Sequence, residues 1–147
     1  MSNQYDDLAL NHHLSFLLYS GSKETIRSFT PLLEQLNLTY TQYLTMLIIW
    51  EHGQLSSKEI GRLLTLDSGT LSPVLRTLEK KALIRRDRDQ RDTRNLIITI
   101  TTEGLALKDK AKSLPKQLKS NIKLSQEETL LLSQLLQKLL DGLKEEA

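Results

Sequence analysis

Apolar residues recur at helical spacing along most of the chain and become strand-like in one short region. Between Leu8 and Phe29, the positions Leu10, Leu14, Leu17, Leu18 and Ile26 predict a helix ending before Pro31. Pro31 suits the first turn of a short helix, Leu32 to Leu36, where a missing N–H is harmless, and Asn37-Leu38 breaks it. Thr39 to Trp50 reads as a largely buried helix, with Tyr43, Met46, Leu47 and Trp50 on one face, Ile48 and Ile49 widening it, and Gly53 as its stop.

Two short helices follow in quick succession. Ser56-Ser57-Lys58-Glu59 has the form of a capping box, with Ser56 accepting from the Glu59 N–H and Glu59 reaching back, ahead of Ile60, Leu63 and Leu64. Leu66-Asp67-Ser68 is a second capping sequence. The helix behind it, Gly69 to Lys80, puts Leu71, Val74, Leu75 and Leu78 on one face and leaves Ser68, Gly69, Thr70, Ser72, Arg76 and Thr77 to solvent. Two short helices joined by a tight turn predict a helix-turn-helix. Leu83-Ile84-Arg85-Arg86 and the β-branched Leu96 to Thr101 then predict a hairpin, whose polar tip, Asp87 to Arg94, is too long for a tight turn and projects into solvent. Thr102 is the expected cap of a helix from Glu103 to about Asn121, kinked or broken at Pro115. Ser125-Gln126-Glu127-Glu128 repeats the capping box before a last helix carrying Leu131, Leu132, Leu135, Leu136, Leu139 and Leu143.

At 147 residues this is the size of one domain, expected to span 1–147. A net charge of only +2 cannot by itself point to nucleic acid, so the distribution of charge has to decide. The chain has no cysteine, which excludes disulfides, thiolate metal sites and thiol catalysis and fits a cytoplasmic protein. The polar opening Met1 to Asp7 lacks the basic and apolar segments of a signal peptide, and no apolar run approaches the roughly 20 residues of a membrane span. A soluble protein without membrane contact is expected. His12 and His13 are adjacent and point to different helix faces, and His52 is remote, so no metal site, catalytic group or cofactor is expected.

The second helix of the pair is narrow enough for a major groove, and the small residues Ser68, Gly69, Thr70 and Ser72 permit close backbone approach. Thr70 and Ser72 can donate to phosphates or base edges, and Arg76 is long enough to reach a guanine or a phosphate. Arg88, Arg91 and Arg94 at the hairpin tip, with Arg85 and Arg86 at its base, suit the enhanced negative potential of a narrow minor groove. In the alternative reading these arginines pair with Asp87, Asp89 and Asp92 in a solvated charged loop. The loop's place directly after a helix-turn-helix favours DNA.

Leu66-Asp67-Ser68-Gly69-Thr70-Leu71-Ser72-Pro73 and Asp92-Thr93-Arg94 resemble the recognition helix and D-x-R wing of MarR-type regulators, and the likeness runs from about Asp6 to the last helix. The resemblance implies a mainly α, dimeric winged helix-turn-helix with a small β-hairpin wing. Helices within about 8–30 and 103–145 would form the dimer interface, and a lobe at about 54–101 would bind DNA. Arg94 would enter the minor groove with Asp92 holding it, and Arg86 would lie near the backbone. The DNA-facing set is then Ser68, Gly69, Thr70, Ser72, Pro73, Arg76, Thr77, Arg86, Arg88, Asp92 and Arg94. The Leu131 to Leu143 stripe independently asks for a partner, the alternative being that it folds back on its own chain.

Leu14-Ser15-Phe16-Leu17-Leu18-Tyr19 and Leu38 to Leu44 resemble, more narrowly, the one-cysteine organic hydroperoxide regulators, the OhrR branch of that family. There Ser15 occupies the position of the reactive cysteine, and tyrosines matching Tyr19, Phe29 and Tyr40 would bond its sulfur, some from the other subunit. Ser15 offers no thiolate, Phe29 lacks a hydroxyl, and Thr41 stands where relatives commonly carry proline. A natural loss of redox sensing and a deliberate replacement of cysteine would leave the same serine.

These readings converge on a homodimeric repressor of a peroxide or stress-response operon, bound to a pseudo-palindromic double-stranded operator. A repressor answering to a small-molecule effector, held between the dimer and DNA-binding regions, is the nearest alternative. A helical interaction module without DNA affinity is the alternative from another class. DNA binding is expected to ignore organic hydroperoxide, whereas Ser15→Cys gains peroxide-triggered release; a gel shift of that variant that stays insensitive would remove position 15 from any sensor.

Overall fold

The computed structural model describes residues 4–145; residues 1–3, the start of the polar opening, lie outside them, as do residues 146–147. The elements run α1 (Leu14–Glu34), α2 (Tyr40–His52), β1 (Gln54–Ser56), α3 (Ser57–Leu64), α4 (Ser68–Lys80), β2 (Ile84–Arg88), β3 (Leu96–Ile100), α5 (Thr102–Lys110), α6 (Leu114–Ser120) and α7 (Gln126–Glu145). Helices α3 and α4 with the β2–β3 hairpin make the expected winged helix-turn-helix.

Helix α2 is the centre of the molecule. Its Thr39 cap accepts from the Gln42 N–H at 3.3 Å while the Gln42 amide oxygen accepts from the Thr39 N–H at 3.1 Å, a complete capping box. Met46 and Ile49 are fully buried, against a core that includes Ile60 of α3, Leu75 and Leu78 of α4, and Ile84 and Ile98 of the sheet. Leu47, expected on the buried face, is instead exposed, because Thr45 and Ile49 take the inward positions of α2; Leu63 of α3 is exposed as well.

Several boundaries depart from the sequence pattern. Residues Asp6–Leu8 and Leu10–His12 form two 3-10 turns, so the first helix begins at Leu14. It then runs through Pro31 instead of stopping before it, and no separate helix forms at Leu32 to Leu36. Proline inside a helix costs about 3 kcal/mol. Here Pro31 is exposed, water can serve the freed carbonyl of exposed Arg27, and buried Phe29 and Leu33 anchor the helix on both sides. Ser56 caps α3 as expected, accepting from Glu59 N at 3.1 Å, but Glu59 does not reach back. Its carboxylate takes Arg62 instead, with Nε at 3.0 Å and a second contact at 2.6 Å. Thr101, not Thr102, caps α5, accepting from Gly104 N at 3.0 Å. The predicted long helix after it is two, α5 and α6, separated at residues 111–113, with Pro115 in the first turn of α6.

Strand β1 has no counterpart in the sequence reading. It pairs antiparallel with β3, giving the order β1-β3-β2 with Leu55 opposite Ile98 and Arg86 opposite Ile98 on the other side. Alternation along the strands then places Ile84, Arg86, Ile98 and Ile100 on the face toward the helices, and Arg85 and Asp87 on the outer face.

Two glycines let elements approach closely. A Cβ on Gly61 of α3 would stand 2.8 Å from the Leu66 carbonyl oxygen, in the turn between α3 and α4. A Cβ on Gly104 would fall against the Leu83 carbonyl oxygen and 2.9 Å from Ile100 Cγ1, at the point where the buried Trp50 Nε1 donates to the Gly104 carbonyl at 2.8 Å. Helix propensity alone would make Gly104→Ala stabilising. The close packing reverses the sign, and we expect a loss of about 1–3 kcal/mol in urea unfolding.

Candidate nucleic-acid interface

The start of α4 is built around Asp67. Its carboxylate oxygen accepts from Thr70 N at 2.7 Å, and hydrogen bonds from the Thr70 side chain and backbone hold its carboxyl below the ordinary carboxylate range. Ser68, Gly69, Thr70, Pro73 and Arg76 are exposed, while Ser72 and Thr77 are half-buried, with the Thr77 hydroxyl donating to the Pro73 carbonyl at 3.0 Å. Leu71, Leu75 and Leu78 anchor the opposite face; Val74 is only half-buried. The exposed first turns of α4 therefore form a rigid polar surface.

At the hairpin tip, acidic side chains organise the backbone. Asp89 accepts from Arg91 N at 2.9 Å, and Asp92 accepts from Arg94 N at 3.1 Å. Each is an Asp side chain bonded to the backbone two residues on, which shapes a turn. Asp92 also takes the Arg94 guanidinium, Nε at 3.0 Å and a terminal nitrogen at 3.2 Å. Hydrogen bonds from the Arg94 side chain and backbone, helped by the nearby Lys58 ammonium, hold the Asp92 carboxyl below its usual range. The Arg94 side chain is nonetheless 88% exposed, a cation clamped at its base and presented outward. Arg88 braces the loop by donating to the Thr93 carbonyl at 2.8 Å. The alternative pairing scheme is realised in part, since Arg85 and Asp87 form an outer-face ion pair at 2.7 Å.

Arg86 has a different role from its neighbours. It points inward from β2 to Glu79 of α4, donating through its backbone N at 3.0 Å, Nε at 3.1 Å and a terminal nitrogen at 3.0 Å. Its side chain is only 24% exposed. This is a tether between recognition helix and wing, made by a residue the sequence reading grouped with the DNA-facing arginines. Between α3, α4 and the hairpin lies an open cleft of about 810 Å³, floored by Leu66, Leu71, Leu75 and Leu96. Lys58 and Arg62 of α3 stand on its rim. Sequence reasoning passed over both; Lys58 lies in the first turn of α3 and Arg62 in its last.

A family model described as Transcriptional regulator SarA/Rot matches residues 27–111. The chain belongs to this family. An organic hydroperoxide resistance transcriptional regulator of Bacillus subtilis (strain 168) is 45% identical over 115 residues, covering 78% of each chain. The HTH-type transcriptional regulator SarZ of Staphylococcus haemolyticus (strain JCSC1435) is 40% identical over 122 residues and 83% of each chain. Among solved structures, reduced AbfR bound to DNA superposes with a TM-score of 0.77 at 32% identity, over 96% of this chain and 99% of that one. The MarR-like winged helix expected from the sequence is thus the fold found, and the protein is a transcriptional regulator.

The candidate sensor residues of this SarA/Rot member do not meet within one protomer. Ser15 and Tyr19 lie exposed near the start of α1, with the Lys23 ammonium 5.9 Å from the Tyr19 ring centre. Phe29 is buried against Tyr40, ring centres 5.9 Å apart. Fourteen residues of helix separate Ser15 from Phe29, about 21 Å at 1.5 Å per residue.

The Arg86 tether has a pH signature. Its hydrogen bonds hold the Glu79 carboxyl below its ordinary 4.5. The carboxyl's contribution to stability is therefore present above that value and lost as pH falls through the lower folded-state value. Between neutral pH and about pH 3, wild type should lose more stability in urea unfolding than Glu79→Gln. Equal losses would mean that the tether contributes nothing measurable.

Proposed function

We propose that this regulator is a homodimeric repressor that grips double-stranded DNA with α4 in the major groove and the wing in the flanking minor groove. The single observation that carries the reading is the Asp92–Arg94 tip: a bidentate, outward-facing guanidinium on a thin hairpin, rigidly joined to a helix whose exposed first turns are small and polar. Such an arginine suits the narrow minor groove, and Thr70, Ser72 and Arg76 suit phosphates and base edges. The lobe at about 54–101 is the DNA-binding part in this reading.

The dimer is supported by apolar surface with nothing covering it. No residue of α7 is buried, and Leu130, Leu131, Leu135 and Leu143 are exposed together with Leu10, Leu14 and Leu17 at the other end of the chain. A second copy covering α7 and the start of α1 would bury both and could bring Phe29 of one subunit toward Ser15 of the other. With half-sites about one helical turn apart, ~34 Å, the operator is pseudo-palindromic. The Bacillus subtilis relative's name points to a peroxide-response operon, and the serine at position 15 makes this chain blind to peroxide through that position. The protein acts by binding, without catalysis, in the cytoplasm; among the described residues no helix is long and apolar enough to cross a membrane.

Arg94→Ala should weaken binding to duplex DNA and lower the slope of log affinity against log salt by about 1. Salt titration by fluorescence anisotropy reads both, and a slope equal to that of wild type would remove Arg94 from the interface.

A further inference from the structure

The cleft between α3, α4 and the hairpin has a contributor that belongs to neither the helix-turn-helix nor the wing. Lys144, in the last turn of α7, lines it together with Lys58, Arg62, Arg86 and Arg94. Each of the three arginines has a carboxylate partner within the protein, Glu59 for Arg62, Glu79 for Arg86 and Asp92 for Arg94, although Arg94 still presents its guanidinium outward. Lys58 and Lys144 have no hydrogen bond or ion pair among the described residues; Lys58 acts only through its field on Asp92. The lining also holds one carboxylate without a cationic partner, Asp67, which caps α4; Lys58 and Lys144 still leave the cleft net positive, and its low-dielectric walls focus that field. The serine hydroxyls of Ser57, Ser68 and Ser72 line the same cleft, and hydroxyls with lysines are the usual partners of phosphodiester oxygens.

We propose that Lys144 is a nucleic-acid phosphate-binding residue, which together with Lys58 holds the DNA backbone at the rear of the cleft while α4 and the wing enter the grooves in front. The inference rests on the DNA-binding reading above and extends it to a helix otherwise devoted to apolar contact. It has a mechanical consequence. The leucine face of α7 and the Lys144 ammonium are parts of one 20-residue helix, so whatever covers the leucines sets where the cation stands, and assembly and DNA grip are coupled through a rigid rod.

The test is equilibrium binding of the full chain to a random-sequence duplex over a range of salt concentrations, with sedimentation run in parallel. Lys144→Gln should lower the salt slope by about 0.9, the share of one phosphate contact, and Lys144→Arg should keep it. The sedimentation of both variants should match wild type, since Lys144 is exposed. If wild type and Arg94→Ala behave as expected while the Lys144→Gln slope is unchanged, this inference alone is overturned. If wild type shows no salt-dependent association at all, the DNA-binding reading fails and this one with it.

Discussion

Met46 and Ile49 of α2 exclude water together with Ile60, Leu75, Leu78, Ile84 and Ile98, and this one contact aims both α4 and the wing. It joins the two helices of the helix-turn-helix to the sheet that carries the wing. Close-packed interiors transmit displacement instead of absorbing it. A shift of α2 therefore moves α4 and the wing as a unit, so the spacing between them is fixed by side chains buried in the core. The Trp50 indole, bonded to the Gly104 carbonyl, extends the same rigid block to α5.

Around that block, charged groups do geometric work that their stability contributions understate. Exposed ion pairs are worth little as energy. The Glu79–Arg86 pair is part-buried and joins α4 to β2, because strand alternation turns Arg86 inward to where Glu79 can receive it. Asp92 likewise acts less as a counter-charge than as a clamp, fixing the direction of a guanidinium that stays in water. The acidic residues of the tip lower its net charge and at the same time restrict its conformations, so less entropy is lost when the loop meets a partner.

Helix α7 is the counterweight. It is long, amphipathic and without a buried residue, and it brings Lys144 to the cleft while most of its leucines stay in water, Leu136 and Leu139 alone among them being half-buried. A monomer with this surface leaves apolar area for a partner to cover, and Leu143, beside Lys144, is part of it.

Much of this was legible from residue order alone. Capping signals at Ser56, Asp67 and Ser125 act within three residues of chain, so local chemistry sufficed to start α3, α4 and α7. The Asp92–Arg94 clamp is equally local in the structure, although it was the family resemblance and not the spacing that pointed to it. What the sequence could not decide were the long-range choices. Helix α1 passes through Pro31 because buried Phe29 and Leu33 outweigh a lost backbone bond. Residues Gln54–Ser56 become a strand only because β3, more than forty positions away, offers an edge. Arg86, expected near the DNA backbone, also ties β2 to α4 because Glu79 lies beneath it, and Lys144 joins Lys58 across more than half of the chain. Local hydrogen bonds can be read along the chain; burial and electrostatic company depend on which distant segments fold together, and only the tertiary structure states that.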